Sequence, residues 1–312
     1  METITNLKKR LRNHEFTWRY LHNLGPTLSY WFSARPRLTG EAARVLDEFN
    51  RHGVAITTAE KLLGPGSAYD ELAGAVDQLE KEKNGEIEAA RAHANDTQAI
   101  GKKTFLYHLL GDKPLLDPNS IFTRFALNRE ILQIANAYLG LFTQLRYYDV
   151  WHTIATTAAA RESQLWHRDR EDYFICKVFV YLNDVDEGAG PFTYATGTHF
   201  KGPLRGEPPF TLEGHVQRSD DSQMAVVAPK DKWITGTGRR GTIIFADTRG
   251  YHKGGLARTS DRIMYNCMFT SPASQVREMM QRPEHIALPS VREQALALMT
   301  PRRKSAPASA GM

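Results

Sequence analysis

At 312 residues, with 41% hydrophobic and 24% charged residues, the chain can bury a sizeable core in one large or two small domains without disulfides. No apolar run approaches the roughly 18 residues that span a bilayer. Met1–Arg12 is polar and lacks the apolar segment of a secretory leader, so a cytoplasmic protein is expected. The net charge of +5 is mild, and no basic-aromatic platform or nucleic-acid module accompanies it, which argues against nucleic acid as a partner. The same positive field favours an anionic small molecule.

In chain order, residues 1–140 read mainly as helix. Leu7, Leu11, Phe16 and Trp18–Leu21 mark a first amphipathic stretch, and Glu41–Phe49 a second that Gly53 ends as a left-handed cap. Val54–Thr57 is short and β-branched, with Thr58 placed as an N-cap after it. Ala68–Asn95 has strong helix composition, and Ile121–Leu139 reads as a helix pair or a kinked helix, with a restart near Asn128-Arg129-Glu130.

The pattern changes at about Leu145. Leu145–Ile154, Ser163–Trp166, Tyr173–Leu182, Phe192–Tyr194, Thr242–Ala246 and Arg262–Thr270 have strand length and composition, with turn signals between them. Short strands spaced in this way predict an antiparallel barrel or jelly roll over residues 141–275. Within it, 201–240 reads as a long polar insert of the kind that closes over a site. A C-terminal helix is expected within 276–300, and the Pro/Ala/Ser-rich tail 301–312 is expected to be disordered. The domain reading is a single unit over 1–300. Cys176 and Cys267 lie in apolar strands and are read as buried thiols.

The chemistry gathers at His167-Arg168-Asp169. Alternation along a strand puts an imidazole and a carboxylate two residues apart on one side. One such spacing among 11 His and 35 acidic residues arises by chance, so it needs a third ligand. His252 follows the strand Thr242–Ala246, and a jelly roll brings distant strand ends together. Two imidazoles and one carboxylate leave metal positions open, as in non-haem Fe(II) oxygenases. Arg262 opens the last strand and can clamp a carboxylate through two parallel hydrogen bonds, with Ser260 as a hydroxyl donor. His199 reads as a packing residue and Asp247 as a turn cap.

Taken jointly, His167-Arg168-Asp169, Gly190–His199 and His252-Lys253-Gly254-Gly255 with Ser260 and Arg262 resemble the phytanoyl-CoA dioxygenase-like family of Fe(II)- and 2-oxoglutarate-dependent oxygenases. The resemblance covers about residues 120–272 and implies a double-stranded β-helix core behind an N-terminal helical layer. It implies Fe(II) on His167, Asp169 and His252, with 2-oxoglutarate and O2 as cosubstrates. It places Arg262 on the distal carboxylate, with Ser260 beside it and Phe179 lining the pocket. The spacing from His252 to Arg262 is one residue shorter than in typical members, which keeps Arg258 as an alternate. Lys177 and Tyr181 share the face of Phe179 by strand alternation. Trp166, His152, His215 and Arg218 are weaker substrate-contact candidates. Asp169 argues against halogenation, because a halogenating member lacks that carboxylate. The expected reaction is hydroxylation of a small, anionic substrate such as a secondary-metabolite intermediate, with desaturation or ring closure as diversions. The expected partner is that small molecule, with homo-oligomerisation left open. A non-catalytic sugar- or anion-binding jelly roll and a cupin-type isomerase are the competing readings.

Overall fold

The computed structural model describes residues 14–34, 37–97, 103–213, 216–274, 276 and 279–299. In chain order they form α1 (Leu24–Trp31), α2 (Gly40–His52), β1 (Val54–Thr58), α3 (Ala59–Leu63), α4 (Ala68–Glu82), α5 (Asn84–His93) and β2 (Leu106–His108). Next come α6 (Ile121–Ala126), α7 (Arg129–Leu139), β3 (Gln144–Thr153), β4 (Cys176–Tyr181), β5 (Phe192–Ala195), β6 (Thr211–Glu213) and β7 (Val216–Arg218). The chain continues through α8 (Asp221–Ala225), β8 (Trp233–Thr235), β9 (Thr242–Ala246), β10 (His252–Gly254), β11 (Arg262–Thr270) and α9 (Arg292–Leu298). A six-stranded antiparallel sheet, β1-β9-β4-β11-β3-β2, faces a three-stranded sheet, β10-β5-β8, and β6 and β7 form a separate hairpin. This is a jelly-roll core, unclosed at its edges, with helices on the outer face of the larger sheet. No helix among the described residues is long and apolar enough to cross a membrane.

Strand alternation builds the layers. Val178, Val180, Phe245, Tyr265 and Cys267 turn toward the helices, where they meet Phe49, Phe125 and Ile131. Phe179, Tyr181, Ile244 and Met264 turn the other way, toward Phe192 and Tyr194 of the small sheet. Each fully buried large side chain contributes about 1.5–3 kcal/mol relative to exposure. Cys176 and Cys267 are buried and unpaired, as expected.

The helical readings hold with adjusted ends. In α2, Ala42, Val45 and Phe49 share the buried face. Gly53 stops that helix at φ 78°, and its N–H bonds Phe49 O. No other residue fits there: a Cβ on Gly53 would overlap the Tyr194 hydroxyl and sit 2.7 Å from His199 Nδ1. Thr58 caps α3 by accepting from the Lys61 N–H at 3.3 Å. The Ala68–Asn95 stretch breaks at Lys83 into α4 and α5. Asn128 restarts α7 by accepting from the Glu130 N–H at 3.0 Å.

Two expectations are corrected. Ser163–Trp166 is not a strand: Glu162–Gln164 forms a 3₁₀ turn, with Gln164 Oε1 accepting from the Arg161 N–H at 3.1 Å. The stretch 201–240 is more than an insert, because β8 within it pairs with β5 and completes the small sheet. The polar sequence around Trp233–Thr235 concealed a strand of only three residues. The tail 301–312, Leu7 and Leu11 lie outside the described residues.

A charged cluster around the buried His152 ties the helical layer to the start of β11. His152 Nδ1 meets Glu80 Oε1 at 3.0 Å and its Nε2 meets Asp261 Oδ2 at 2.7 Å, while Arg91 Nη2 donates to Asp261 Oδ2 at 2.6 Å. Burial opposes a charge on His152, but Asp261 and Glu80 outweigh it and raise its pKa to about 9. The stabilisation is therefore complete below the ordinary histidine value of 6.5 and is lost as pH rises through about 9. Thermal denaturation should show stability declining over that window, and His152→Asn should remove the decline. That substitution should also cost on the order of 1–2 kcal/mol, because Glu80 loses its partner while Asp261 keeps Arg91 and the Ala155 N–H.

Candidate metal centre and its two cavities

The centre rests on a reciprocal backbone pair. The His167 N–H bonds His252 O and the His252 N–H bonds His167 O, both at 3.0 Å. Trp166 pairs in the same way with Ser219, and the Asp169 N–H bonds Thr248 O at 2.8 Å. These bonds fix the irregular segment after the 3₁₀ turn against β10 and the turn before it. That turn is capped by Asp247, whose Oδ1 accepts from the Arg249 N–H at 3.0 Å while the Tyr138 hydroxyl donates to Oδ2 at 2.6 Å. Burial pushes the Asp247 carboxyl up to about 6. His199 packs locally, its Nε2 3.1 Å from Asn50 O.

His167, Asp169 and His252 each offer a ligand atom, and these atoms lie within 4.8 Å of one another. His167 Nδ1 lies 2.8 Å from Leu165 O and His252 Nδ1 lies 3.0 Å from Gly250 O. Carbonyls only accept, so Nδ1 carries the proton in both rings and Nε2 presents a lone pair. His252 Nε2 and Asp169 Oδ2 are 3.8 Å apart, a span that one cation with bonds of about 2.1 Å can bridge. Burial, and for His167 also the neighbouring His252, lowers both imidazole pKa values and keeps the rings neutral. Burial alone would raise Asp169, but Lys177, His252 and His167 hold it well below the usual carboxylate range. Lys177 Nζ donates to Asp169 Oδ2 at 2.5 Å. Burial opposes the Lys177 charge, and Asp169 raises its pKa in spite of it. Two neutral imidazoles and one ionised carboxylate are a fitting donor set for a divalent transition metal.

Two cavities meet at this triad. The smaller, about 100 Å³, runs from His167, Asp169 and His252 past Phe179 and Phe192 to Arg262. The larger, about 490 Å³, opens on the other side between His167, Asp169, Arg168, Arg170 and Arg218. Arg262 is buried; Nη1 donates to Gly190 O, Nη2 reaches Thr153 Oγ1 at 3.4 Å, and Nε has no partner among the described residues. No carboxylate of the described residues pairs with it, and burial lowers its pKa. A buried guanidinium left this way is suited to an anion entering the smaller cavity.

The structure thus brings His167, Asp169, His252, Arg262, Phe179 and Lys177 to one cavity and Arg218 to the other. It places the remaining candidates elsewhere. Ser260 is exposed in the loop before β11. Arg258 Nη1 donates to Thr156 O and Ala158 O, away from both cavities. Trp151 and Thr153 of β3 face the smaller cavity, so alternation turns His152 to the opposite side. The Tyr181 hydroxyl donates to Gly236 O at 2.7 Å within the inter-sheet core. Trp166 packs behind the centre against Trp233, with Nε1 donating to Asp221 Oδ1 at 2.7 Å. His215 lies outside the described residues. Sequence reasoning passed over Lys103 and Ser163, which line both cavities. Neither belongs to a recognisable motif, and only the folded chain brings them near His167.

No family model and no curated protein matches the sequence. Solved structures do. EctD from S. alaskensis with bound Fe is 15% identical over 81% of this chain and 85% of that chain, with a TM-score of 0.52. EctD from S. alaskensis with 2-oxoglutarate and 5-hydroxyectoine is 17% identical over 89% and 93%, also with a TM-score of 0.52. At these identities the likeness shows a shared fold.

Cobalt(II) titration tests the centre. One equivalent should bind to the wild type, and His252→Ala or Asp169→Ala should weaken binding by more than about 100-fold, beyond the loss typical of outer-shell changes.

Proposed function

We propose that the protein is an Fe(II)- and 2-oxoglutarate-dependent oxygenase that hydroxylates an unactivated C–H bond of a small anionic substrate, such as a secondary-metabolite intermediate. The observation that carries this reading is the buried Arg262, without a carboxylate partner among the described residues, at the far end of the cavity that begins at the triad. A keto acid with a second carboxylate suits such a cavity. EctD, which shares the fold, has been solved with Fe and with 2-oxoglutarate and 5-hydroxyectoine.

In this reading His167, Asp169 and His252 hold the metal and leave its remaining positions to the cosubstrate and O2. Bound iron supplies the oxidative decarboxylation of 2-oxoglutarate to succinate and CO2 that drives C–H oxidation. Arg262 receives the distal carboxylate, and Phe179 and Phe192 supply an apolar wall that excludes water. Lys177 holds the Asp169 carboxylate ionised and fixed in place. Ser260 would reach the cosubstrate only if its loop folds inward. The retained Asp169 favours oxygen transfer over halogenation.

Succinate formation from 2-oxoglutarate under Fe(II) and O2 is the test. Wild type should release succinate, and His167→Ala should abolish it. Arg262→Ala should raise the KM for 2-oxoglutarate by roughly 10–100-fold, the scale of a lost charge-assisted pair. Arg258→Ala should leave that KM unchanged. No succinate from the metal-loaded wild type with any candidate substrate would overturn the proposal.

A further inference from the structure

We propose that Lys103 anchors an anionic group, a carboxylate or phosphate, of the primary substrate. This inference rests on the oxygenase reading and adds to it the residue that selects the substrate. Lys103 stands just ahead of β2 and lines both cavities beside the triad. Its ammonium lies 5.9 Å from the centroid of the Trp151 ring, and no carboxylate of the described residues forms an ion pair with it. Burial, and next the charge of Lys177, lower its pKa, and the more distant carboxylates of Asp169 and Glu162 only partly offset this. A half-buried ammonium of this kind is suited to a ligand anion that completes it.

Apart from Arg262, the other cations around the cavities are engaged. Lys177 holds Asp169 at 2.5 Å. Arg168 donates to Thr198 O at 2.9 Å and lies over the Tyr251 ring at 3.9 Å. Arg170 donates to Gln217 Oε1 at 2.6 Å, and Arg218 pairs with Glu162 at 3.5 Å. The cosubstrate does not need Lys103 either. Of its two carboxylates, one is assigned to Arg262 and the other to the metal. A third anion site at the junction of the cavities therefore belongs to the second ligand, in the larger cavity. Its volume of about 490 Å³ accommodates a small organic molecule. Holding the substrate by its anion there would set which C–H bond faces the triad. The C–H bond oxidised is then determined by its distance from the charged group.

Calorimetric titration of inorganic phosphate and of butyrate into protein loaded with Mn(II) and 2-oxoglutarate tests this, with chloride as the ionic-strength control. Wild type should bind at least one anion saturably. Lys103→Met should weaken that binding by roughly tenfold or more while the Kd for 2-oxoglutarate stays within about twofold, and Lys103→Arg should retain both. Failure of both anions to bind wild type would overturn the proposal. So would a Lys103→Met variant that loses 2-oxoglutarate affinity while keeping the anion response, which would assign Lys103 to the cosubstrate. If 2-oxoglutarate does not bind wild type but Lys103→Met still abolishes anion binding, the oxygenase reading fails and the Lys103 site stands.

Discussion

The two hydrogen bonds exchanged between the backbones of His167 and His252 are the constraint on which the centre depends. They join a segment with little regular structure to the first residue of β10. The imidazole centroids are brought to 4.3 Å, and Asp169 follows two residues later, held by Thr248. Everything around this pair limits its freedom. Asp247 fixes the turn from below, Trp166 packs against Trp233 on one side, and Lys177 fixes the carboxylate on the other. The triad is thus rigid before any ion arrives, which lowers the reorganisation that metal binding requires.

Electrostatics divide the region into parts with different tasks. Around Asp169 the charges are balanced: burial disfavours its carboxylate, and Lys177 with the two imidazoles restores it. At Arg262 and Lys103 the balance is left open, with a buried guanidinium at one end of the smaller cavity and an ammonium at the junction of the two. On the outer face, His152, Glu80, Asp261 and Arg91 form a closed network. Open charges mark where ligands belong, whereas closed networks hold elements together. By that criterion His152 supports the start of β11, and Arg262, one residue beyond Asp261, inherits its position from that network.

Much of this was legible in the sequence, for identifiable reasons. The aromatic and β-branched runs of β3, β4, β9 and β11 reflect a sheet buried on both faces, and the caps at Gly53, Thr58 and Asn128 follow from local backbone chemistry. The triad could be read because a jelly roll brings the ends of distant strands together. Less legible were features that depend on long-range partners. The three residues of β8 carry no pattern of their own. Tyr181 lies on the expected face, yet Gly236 takes its hydroxyl. His152 stands between two cavity-lining residues on a strand that reverses its side chain. Lys103, the second of a Lys-Lys pair, belongs to no recognisable motif and becomes distinctive only beside Trp151 and His167.

The central claim is that the triad and Arg262 together receive a metal-chelating keto acid. Anaerobic titration of 2-oxoglutarate into Fe(II)-loaded protein, followed by visible absorption, tests it most directly. The account predicts a saturable metal-to-ligand charge-transfer band that disappears in His167→Ala and requires much more 2-oxoglutarate in Arg262→Gln. Absence of that band in the iron-loaded wild type, or an unchanged titration in Arg262→Gln, would contradict it.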